Sequence, residues 1–255
     1  MQTLSPPACA ELMARSRSIV AFTGAGISTA AGIPDFRGPQ GLYVTRRYDP
    51  VKVFEIEHFL REPQYFYEFS RDFVDQAKTI EPTFTHTFLA ELEGMGRLAG
   101  VITQNIDLLH QRAGNRCVIE LHGSYNRADC QHCGKGYEDL TLEWWDIAMG
   151  AGLRPPIVSC SACRGVIKPD IVFFGEAVKS YREAEDMVAA CDLLLVLGSS
   201  LQIAPASYLP YATMAATLIV NQGELMLPEA SHRFFVDDDL DGYFRSVSES
   251  LRRFD

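Results

Sequence analysis

The sequence predicts an α/β fold built on a doubly wound parallel sheet, interrupted by a helical insertion and a small inserted module. Three observations predict it. Short, unbroken apolar runs alternate with stretches of helical periodicity, a glycine-rich turn follows the first run, and two Cys-x-x-Cys pairs interrupt the alternation.

The apolar runs lie at residues 18–23, 101–103, 118–121, 193–197, 218–220 and 234–236. A strand covered on both faces has no solvated side, so it reads as a continuous apolar run rather than an alternating one. Residues 63–76, 86–92 and 180–190 carry apolar side chains at helical spacing. Strand and helix in alternation is the pattern of a Rossmann-like sheet. Residues 38–83 are helical without an intervening strand. Residues 128–166 hold both cysteine pairs, Trp144-Trp145 and Pro155-Pro156. The expected organisation is a Rossmann-like domain from residues 1–37, 84–127 and 167–255, a helical insertion at 38–83, and a small module at 128–166.

Bulk properties narrow the function. The chain has 255 residues, 47% apolar and 22% charged, enough for one substantial core with or without a satellite. Its 23 basic and 33 acidic side chains leave a net charge of −10. Such a chain repels phosphate backbones and attracts basic peptides, which argues against nucleic-acid binding. No apolar run approaches the roughly 20 residues that span a bilayer. The segment from Met1 to Arg17 lacks the order of a signal peptide. The expectation is a cytoplasmic protein bound to neither membrane nor nucleic acid, and nothing in the sequence demands more than a monomer.

Cys130-x-x-Cys133 and Cys160-x-x-Cys163 present four thiolates, the ligand set of a tetrahedral zinc site. Residues 134–159 form a longer spacer than the usual roughly 15–20 residues, which a loop absorbs. Cys9, Cys117 and Cys191 are scattered, and an odd total with paired knuckles favours metal over disulfides. His132 is a rival ligand inside the first knuckle, but four sulfurs already complete the sphere. With no open position, one zinc ion is expected to be structural.

Gly24-Ala25-Gly26-Ile27-Ser28 follows the first strand. Glycines there let backbone approach a pyrophosphate, and a following helix N-terminus favours its charge. Thr29 occupies the place of the third glycine in the usual fingerprint, so the turn alone is a weak signal. Its continuation, Gly32-Ile33-Pro34-Asp35-Phe36-Arg37, sets charges of both signs around an aromatic ring. Asn105 and Asp107 stand two apart after a strand, so extended backbone projects them to one side. The same residue types also cap helix N-termini. His122 follows the run at 118–121, and an imidazole with a pKa near ~6.5 suits proton transfer, although buried-strand histidines also serve as plain hydrogen-bonders.

Taken in order, these motifs resemble the sirtuin family. The block from Gly24 to Arg37 is similar to its first motif, Thr103-Gln104-Asn105-Ile106-Asp107 to its second, and His122-Gly123 to its third. Phe174-Gly175-Glu176 resembles its substrate-binding strand. Gly198-Ser199-Ser200-Leu201 resembles a later motif with serine replacing threonine, and Asn221 fits the adenosine-binding position. The cysteine pairs fall where sirtuins bind zinc, and the resemblance runs from about Ile19 to Phe254.

The resemblance implies an NAD-dependent protein lysine deacylase that consumes NAD as a co-substrate. The acyl-lysine carbonyl oxygen attacks the anomeric carbon of the nicotinamide ribose and nicotinamide leaves. A base then activates a ribose hydroxyl, and free lysine and O-acyl-ADP-ribose depart. By resemblance His122 is that base, catalytic together with Asn105 and Asp107. Gly24, Ala25, Gly26, Ser28, Asp35, Phe36, Arg37, Gln104, Asn105, Ile106, Asp107, Gly198, Ser199, Ser200, Asn221, Gln222 and Gly223 would contact the dinucleotide. Among them Phe36 would shield the reacting carbon from water. The acyl-lysine peptide would add a strand along residues 172–176, with Val172, Phe174, Gly175, Glu176 and Tyr67 as its contacts.

Sirtuins that remove acidic acyl groups carry a tyrosine and an arginine three residues apart on a helix. Here Tyr67 is followed by Ser70 at the arginine position, and Arg71 is rotated about 100° around the helix. Acetyl and other short neutral groups are therefore expected over succinyl. The competing readings are an NAD-dependent mono-ADP-ribosyltransferase or NAD hydrolase on the same site, a non-catalytic binding module, and a zinc-ribbon nucleic-acid binder. The last is opposed by the net charge of −10.

Overall fold

In the computed structural model, which describes residues 1–33, 48–150 and 156–254, each predicted apolar run is a strand. In chain order the strands are β1 (Ile19–Thr23), β2 (Leu98–Thr103), β3 (Val118–Glu120), β4 (Gly123–Cys130), β5 (Gly136–Tyr137), β6 (Ile167–Ile171), β7 (Leu193–Leu197), β8 (Ala216–Val220) and β9 (Arg233–Val236). The chain divides into two compact units. One comprises Met1–Gly32, Glu81–Leu121 and Ser180–Asp255; the other comprises Ile33–Ile80 and His122–Lys179.

The first unit holds a six-stranded sheet in the order β3-β2-β1-β7-β8-β9, with every pairing parallel. Strand order reverses between β1 and β7, the switch point outside which doubly wound folds bind ligands at the carboxyl ends of their strands. Both central strands are buried at every position, which explains their unbroken apolar sequence. Alternate residues serve opposite faces. Ile19, Ala21, Leu195 and Leu218 pack against helices Pro6–Arg15, Phe84–Gly94 and Leu240–Leu251. Val20, Phe22, Val196 and Ile219 pack against helix Tyr181–Ala190 and the 3₁₀ segment Ala206–Ala212.

Helix Phe84–Gly94 starts two residues before the sequence-based expectation. The Thr83 side chain accepts from the His86 backbone, and the His86 ring accepts from the Thr83 N–H, closing a capping box.

The second unit carries a three-stranded antiparallel sheet, β5-β4-β6, with helices Pro50–Val53, Ile56–Arg61, Pro63–Ala77 and Leu142–Met149. Its core is aromatic: Phe59, Phe66, Tyr67, Tyr125, Trp145 and Phe173 are all fully buried. Burial obliges each polar tip to find a partner. The Tyr67 hydroxyl donates to the Ile167 carbonyl, Ser70 Oγ lies 3.0 Å from the Tyr125 hydroxyl, and the Trp145 indole donates to the Tyr125 carbonyl at 2.6 Å. No helix among the described residues is long and apolar enough to cross a membrane.

Candidate active site and metal centre

The turns after β1 and β7 lock together through backbone. Gly24 N–H donates to the Leu197 carbonyl and Gly26 N–H to the Gly198 carbonyl, each at 2.9 Å. A Cβ on Gly24 would lie 2.8 Å from Gly198 O, and one on Gly26 would lie 2.7 Å from Gly198 Cα. Gly198 itself sits at φ +64, and its Cβ would lie 2.4 Å from Ile27 N. These glycines exist so that two turns can touch, and the N–H groups of Gly24 and Gly26 are already committed. The close approach of the two turns is thus one use of the missing side chains. The segment that follows, Ala25–Ala31, is 3₁₀ rather than an α-helix, and Gly32 ends it in the left-handed region.

Beside these turns lies a buried polar cluster. Ser28 Oγ donates to Asp107 Oδ2 at 2.7 Å, and Asn105 Nδ2 reaches Ser28 Oγ at 3.1 Å and Asp107 Oδ2 at 3.2 Å. The other Asp107 oxygen accepts from Leu109 N–H at 3.0 Å, so the helix-capping role is present as well. Burial raises the Asp107 carboxyl above the usual carboxylate range, opposed by those same hydrogen bonds. Leu108, next in the chain, is forced to φ 63, a costly position for a branched side chain. Thr23 and Thr103, register partners on β1 and β2, meet through hydroxyls 2.9 Å apart, and Thr103 Oγ1 accepts the Asn105 N–H at 3.0 Å. Beneath them His110 Nε2 lies 2.9 Å from Thr23 Oγ1, and the His86 and His110 rings stand 4.7 Å apart. The sequence reading did not single out Thr23, His86 or His110. Their signal is a polar side chain at a buried position, Thr23 at the end of an otherwise apolar strand and His86 and His110 among the buried residues of their helices.

The remaining first-unit residues lie at the ends of β2, β7 and β8. Gln104 Nε2 donates to Ser199 Oγ at 3.0 Å, which also accepts from Leu201 N–H. Ile106 and Ser200 are half-buried, as is Ala25. Asn221 is buried, its backbone N–H on Val236 O and its side chain donating to Gln222 O at 3.1 Å. Gln222 and Gly223 are exposed, and Gly223 N–H donates to Asp237 Oδ1 at 3.2 Å.

The second unit holds the other predicted residues. His122 is partly exposed at the turn into β4, and its carbonyl accepts Val172 N–H at 2.9 Å. Gly123 is indispensable: at φ +66, its Cβ would lie 1.7 Å from the Asp170 carbonyl of the neighbouring strand. Residues 172–176 are not a free strand edge, since β6 ends at Ile171 and Phe174 already pairs with backbone of Phe54 and Ile56. Val172 is half-buried, whereas Phe174, Gly175 and Glu176 are exposed. Tyr67, expected beside the substrate, is a core residue with no exposed surface. Arg71 donates to the Met149 and Gly150 carbonyls at the end of helix Leu142–Met149. Asp35, Phe36 and Arg37 lie outside the described residues.

The four paired cysteines converge, with all their sulfurs within 4.8 Å of one another. Cys130–Cys163 and Cys133–Cys160 sulfurs are 3.4 and 3.8 Å apart. A zinc tetrahedron with bonds of about 2.3 Å has sulfur–sulfur edges of about 3.8 Å, so the arrangement fits the ion. Backbone N–H groups of His132, Cys133, Ala162 and Gly165 point at the sulfurs. The Tyr137 hydroxyl donates to Cys160 Sγ at 3.2 Å and brings that thiol down to about 6. His132 stands outside this ligand set.

Residues 24–205 match the Sir2 family. An NAD-dependent protein deacetylase 1 of Pyrobaculum aerophilum is 40% identical over 247 residues, spanning 95% of this chain and 91% of that protein. An NAD-dependent protein deacylase 2 of Archaeoglobus fulgidus is 44% identical over 218 residues, 83% of each chain. A solved structure of Sir2 with a p53 peptide and NAD+ superposes with a TM-score of 0.82 at 38% identity, covering 94% of this chain and 95% of that one.

Proposed function

The chain belongs to the Sir2, or sirtuin, family of NAD-dependent protein deacetylases and deacylases, and from that premise we propose how its own residues carry out the reaction. NAD, when bound, supplies an electrophilic ribose carbon with nicotinamide as leaving group, and a ribose hydroxyl that receives the acyl group. The observation that carries the assignment is the Ser28–Asn105–Asp107 cluster at the carboxyl ends of β1 and β2, beside the switch point of the sheet. Asn105 presents its amide to the nicotinamide ribose. Asp107 holds both Asn105 and Ser28 in place through one buried carboxylate oxygen. The interlocked turns at Gly24–Gly26 and Gly198 give the dinucleotide a rigid floor, along which Ala25, Ser28, Gln104, Ile106, Ser199 and Ser200 supply contacts. Asn221, Gln222 and Gly223 take the adenosine end. By the family motif they belong to, Asp35, Phe36 and Arg37 are assigned cofactor-binding roles as well.

His122 is the general base for the ribose hydroxyl. Its partial exposure, the proton-transfer chemistry of an imidazole and the adjoining Gly123 support that role. The peptide takes the turn at 172–176, where Phe174, Gly175 and Glu176 are exposed. The solved Sir2 complex with a p53 peptide supports an acyl-lysine peptide as partner. Cys130, Cys133, Cys160 and Cys163 hold one structural zinc ion.

Acetyl and short neutral acyl groups are the preferred cargo. Ser70 faces the Tyr125 hydroxyl and Arg71 is spent on two carbonyls, so no guanidinium is offered three residues after Tyr67 to neutralise an acyl carboxylate.

The test is incubation with acetyl-lysine peptide, with and without NAD, alongside His122→Ala. Deacetylated peptide, nicotinamide and O-acetyl-ADP-ribose should all form by mass, only with NAD and only with His122. Nicotinamide release without peptide deacetylation would replace this reading with the ADP-ribosyltransferase or hydrolase. Higher kcat/KM on succinyl-lysine than on acetyl-lysine would overturn the acyl preference.

A further inference from the structure

We propose that Lys168 is a positioning residue for the acyl-lysine peptide, its buried ammonium acting with Glu176 as a clamp that holds residues 172–176 in their receiving conformation. The inference rests on the reading of that turn as the peptide site.

Lys168 lies within β6, opposite Asp129, and only 6% of it is exposed. An ammonium removed from water must be paired and hydrogen-bonded. Its Nζ lies 2.7 Å from the Ile171 carbonyl, 2.9 Å from Glu176 Oε2, and 4.2 Å from the centre of the Phe173 ring. Glu176 Oε2 accepts in addition the Phe173 N–H at 2.8 Å, and Glu176 N–H donates to the Phe173 carbonyl at 3.0 Å. In an extended strand the backbones of residues 171 and 176 would stand roughly 17 Å apart. Here a single nitrogen atom bridges them, so the chain is folded back on itself between them, with Gly175 at φ +96.

That fold decides which groups are presented. Phe173 is turned inward beneath the ammonium, 1% exposed, while Phe174 is 45% exposed. Val172 N–H is bonded to the His122 carbonyl, so the conformation held by the clamp also bears on the backbone of the proposed base. Burial lowers the lysine's pKa, and Glu176 opposes that shift. Buried ion pairs give little net stability, and apolar replacement of both partners is commonly neutral or stabilising. The distinctive contribution of this pair is a single turn geometry. Its sequence signal is a lysine at a buried position of the strand Ile167-Lys168-Pro169-Asp170-Ile171, two residues after Val166.

The experiment measures steady-state kinetics of the zinc-loaded full chain with an acetyl-lysine peptide at saturating NAD, ADP-ribose binding by calorimetry, and melting temperature. The variants are Lys168→Met, Lys168→Arg, Glu176→Gln, the Lys168→Met/Glu176→Gln pair and Phe174→Ala. Lys168→Met should raise the peptide KM about tenfold or more while kcat stays within about threefold and ADP-ribose affinity is unchanged. Lys168→Arg should recover most of the loss. The paired variant should melt near the wild type yet keep the raised KM, which separates positioning from simple stability. A paired variant that is well folded with wild-type peptide KM would overturn the clamp. Sensitivity of peptide KM to Phe174→Ala but not to the Lys168 variants would remove the clamp alone. Insensitivity to both would remove the peptide-site reading and the clamp with it.

Discussion

Ser28 and Asp107, 79 residues apart in sequence, are joined by a 2.7 Å hydrogen bond from hydroxyl to carboxylate, and Asn105 donates to both of them. One carboxylate oxygen thus organises two side chains from different strand-end turns, while the other caps the helix beginning at Leu109. Asp107→Asn places a donor where two donors already point. Losing such a buried acceptor costs about 1–3 kcal/mol. The expected result is a fall in kcat/KM of roughly 10- to 100-fold with a folded protein by circular dichroism, and activity close to wild type would remove the organising role of Asp107.

Gly123 and Gly134 both adopt positive φ, but only Gly123 faces another backbone. A Cβ there would sit 1.7 Å from the Asp170 carbonyl, whereas at Gly134 it would meet nothing within 4 Å. Gly134→Ala should cost about 1–2 kcal/mol, the usual strain of a left-handed alanine. Gly123→Ala must also push β4 and β6 apart and should cost roughly 3 kcal/mol or more. Equal midpoints for the two variants in urea unfolding would contradict this.

Zinc removal should loosen the second unit selectively. Trp144 and Trp145 are the only tryptophans, and both lie on a helix of that unit, with Trp145 fully buried. Metal analysis should find one zinc per chain. Chelation should shift tryptophan emission to the red as Trp145 meets water, and added zinc should reverse it. An emission spectrum unmoved by complete zinc loss would show that the four thiols are not the staple of this unit.

The buried histidine pair predicts acid sensitivity. Burial pushes His86 down to about 2 and His110 to about 4. An unfolded histidine takes its proton near pH 6.5, so below that value the unfolded state binds protons that the folded state refuses. Stability is therefore complete above pH 6.5 and is lost as pH falls toward 4, by roughly 1 kcal/mol per pH unit per histidine. His110→Gln keeps an amide near Thr23 without titrating. Its melting temperature should fall less steeply between pH 6.5 and 4.5, and parallel curves would exclude His110 as a source of the dependence.

Much of the fold was legible because the relevant signals are local. A strand covered on both faces needs apolar side chains at consecutive positions, as Leu193–Leu197 shows, and that requirement is written in five adjacent letters. Two cysteines on one knuckle are likewise neighbours in sequence, so the ligand set could be named before the sulfurs were seen to meet within 4.8 Å. The family motifs pointed to the Asn105 and Asp107 positions for the same reason.

What escaped the sequence depends on partners far along the chain. Gly24, Gly26 and Gly198 announce a tight backbone, but that the two turns close on each other is set by the register of β1 against β7. Tyr67 and Ser70 lie on a helix with several apolar faces, and the placement of Ile167 and Tyr125 in the fold gives their hydroxyls partners in the core. Lys168 reads as an anomaly in a strand until the chain folds Glu176 back onto it. By itself the sequence determined which elements form, which sulfurs gather and which family chemistry the chain carries, because backbone periodicity and motif spacing are short-range. Which polar groups were left available for that chemistry was decided by packing, since a hydrogen bond spent on a distant partner leaves no mark on the letters beside it.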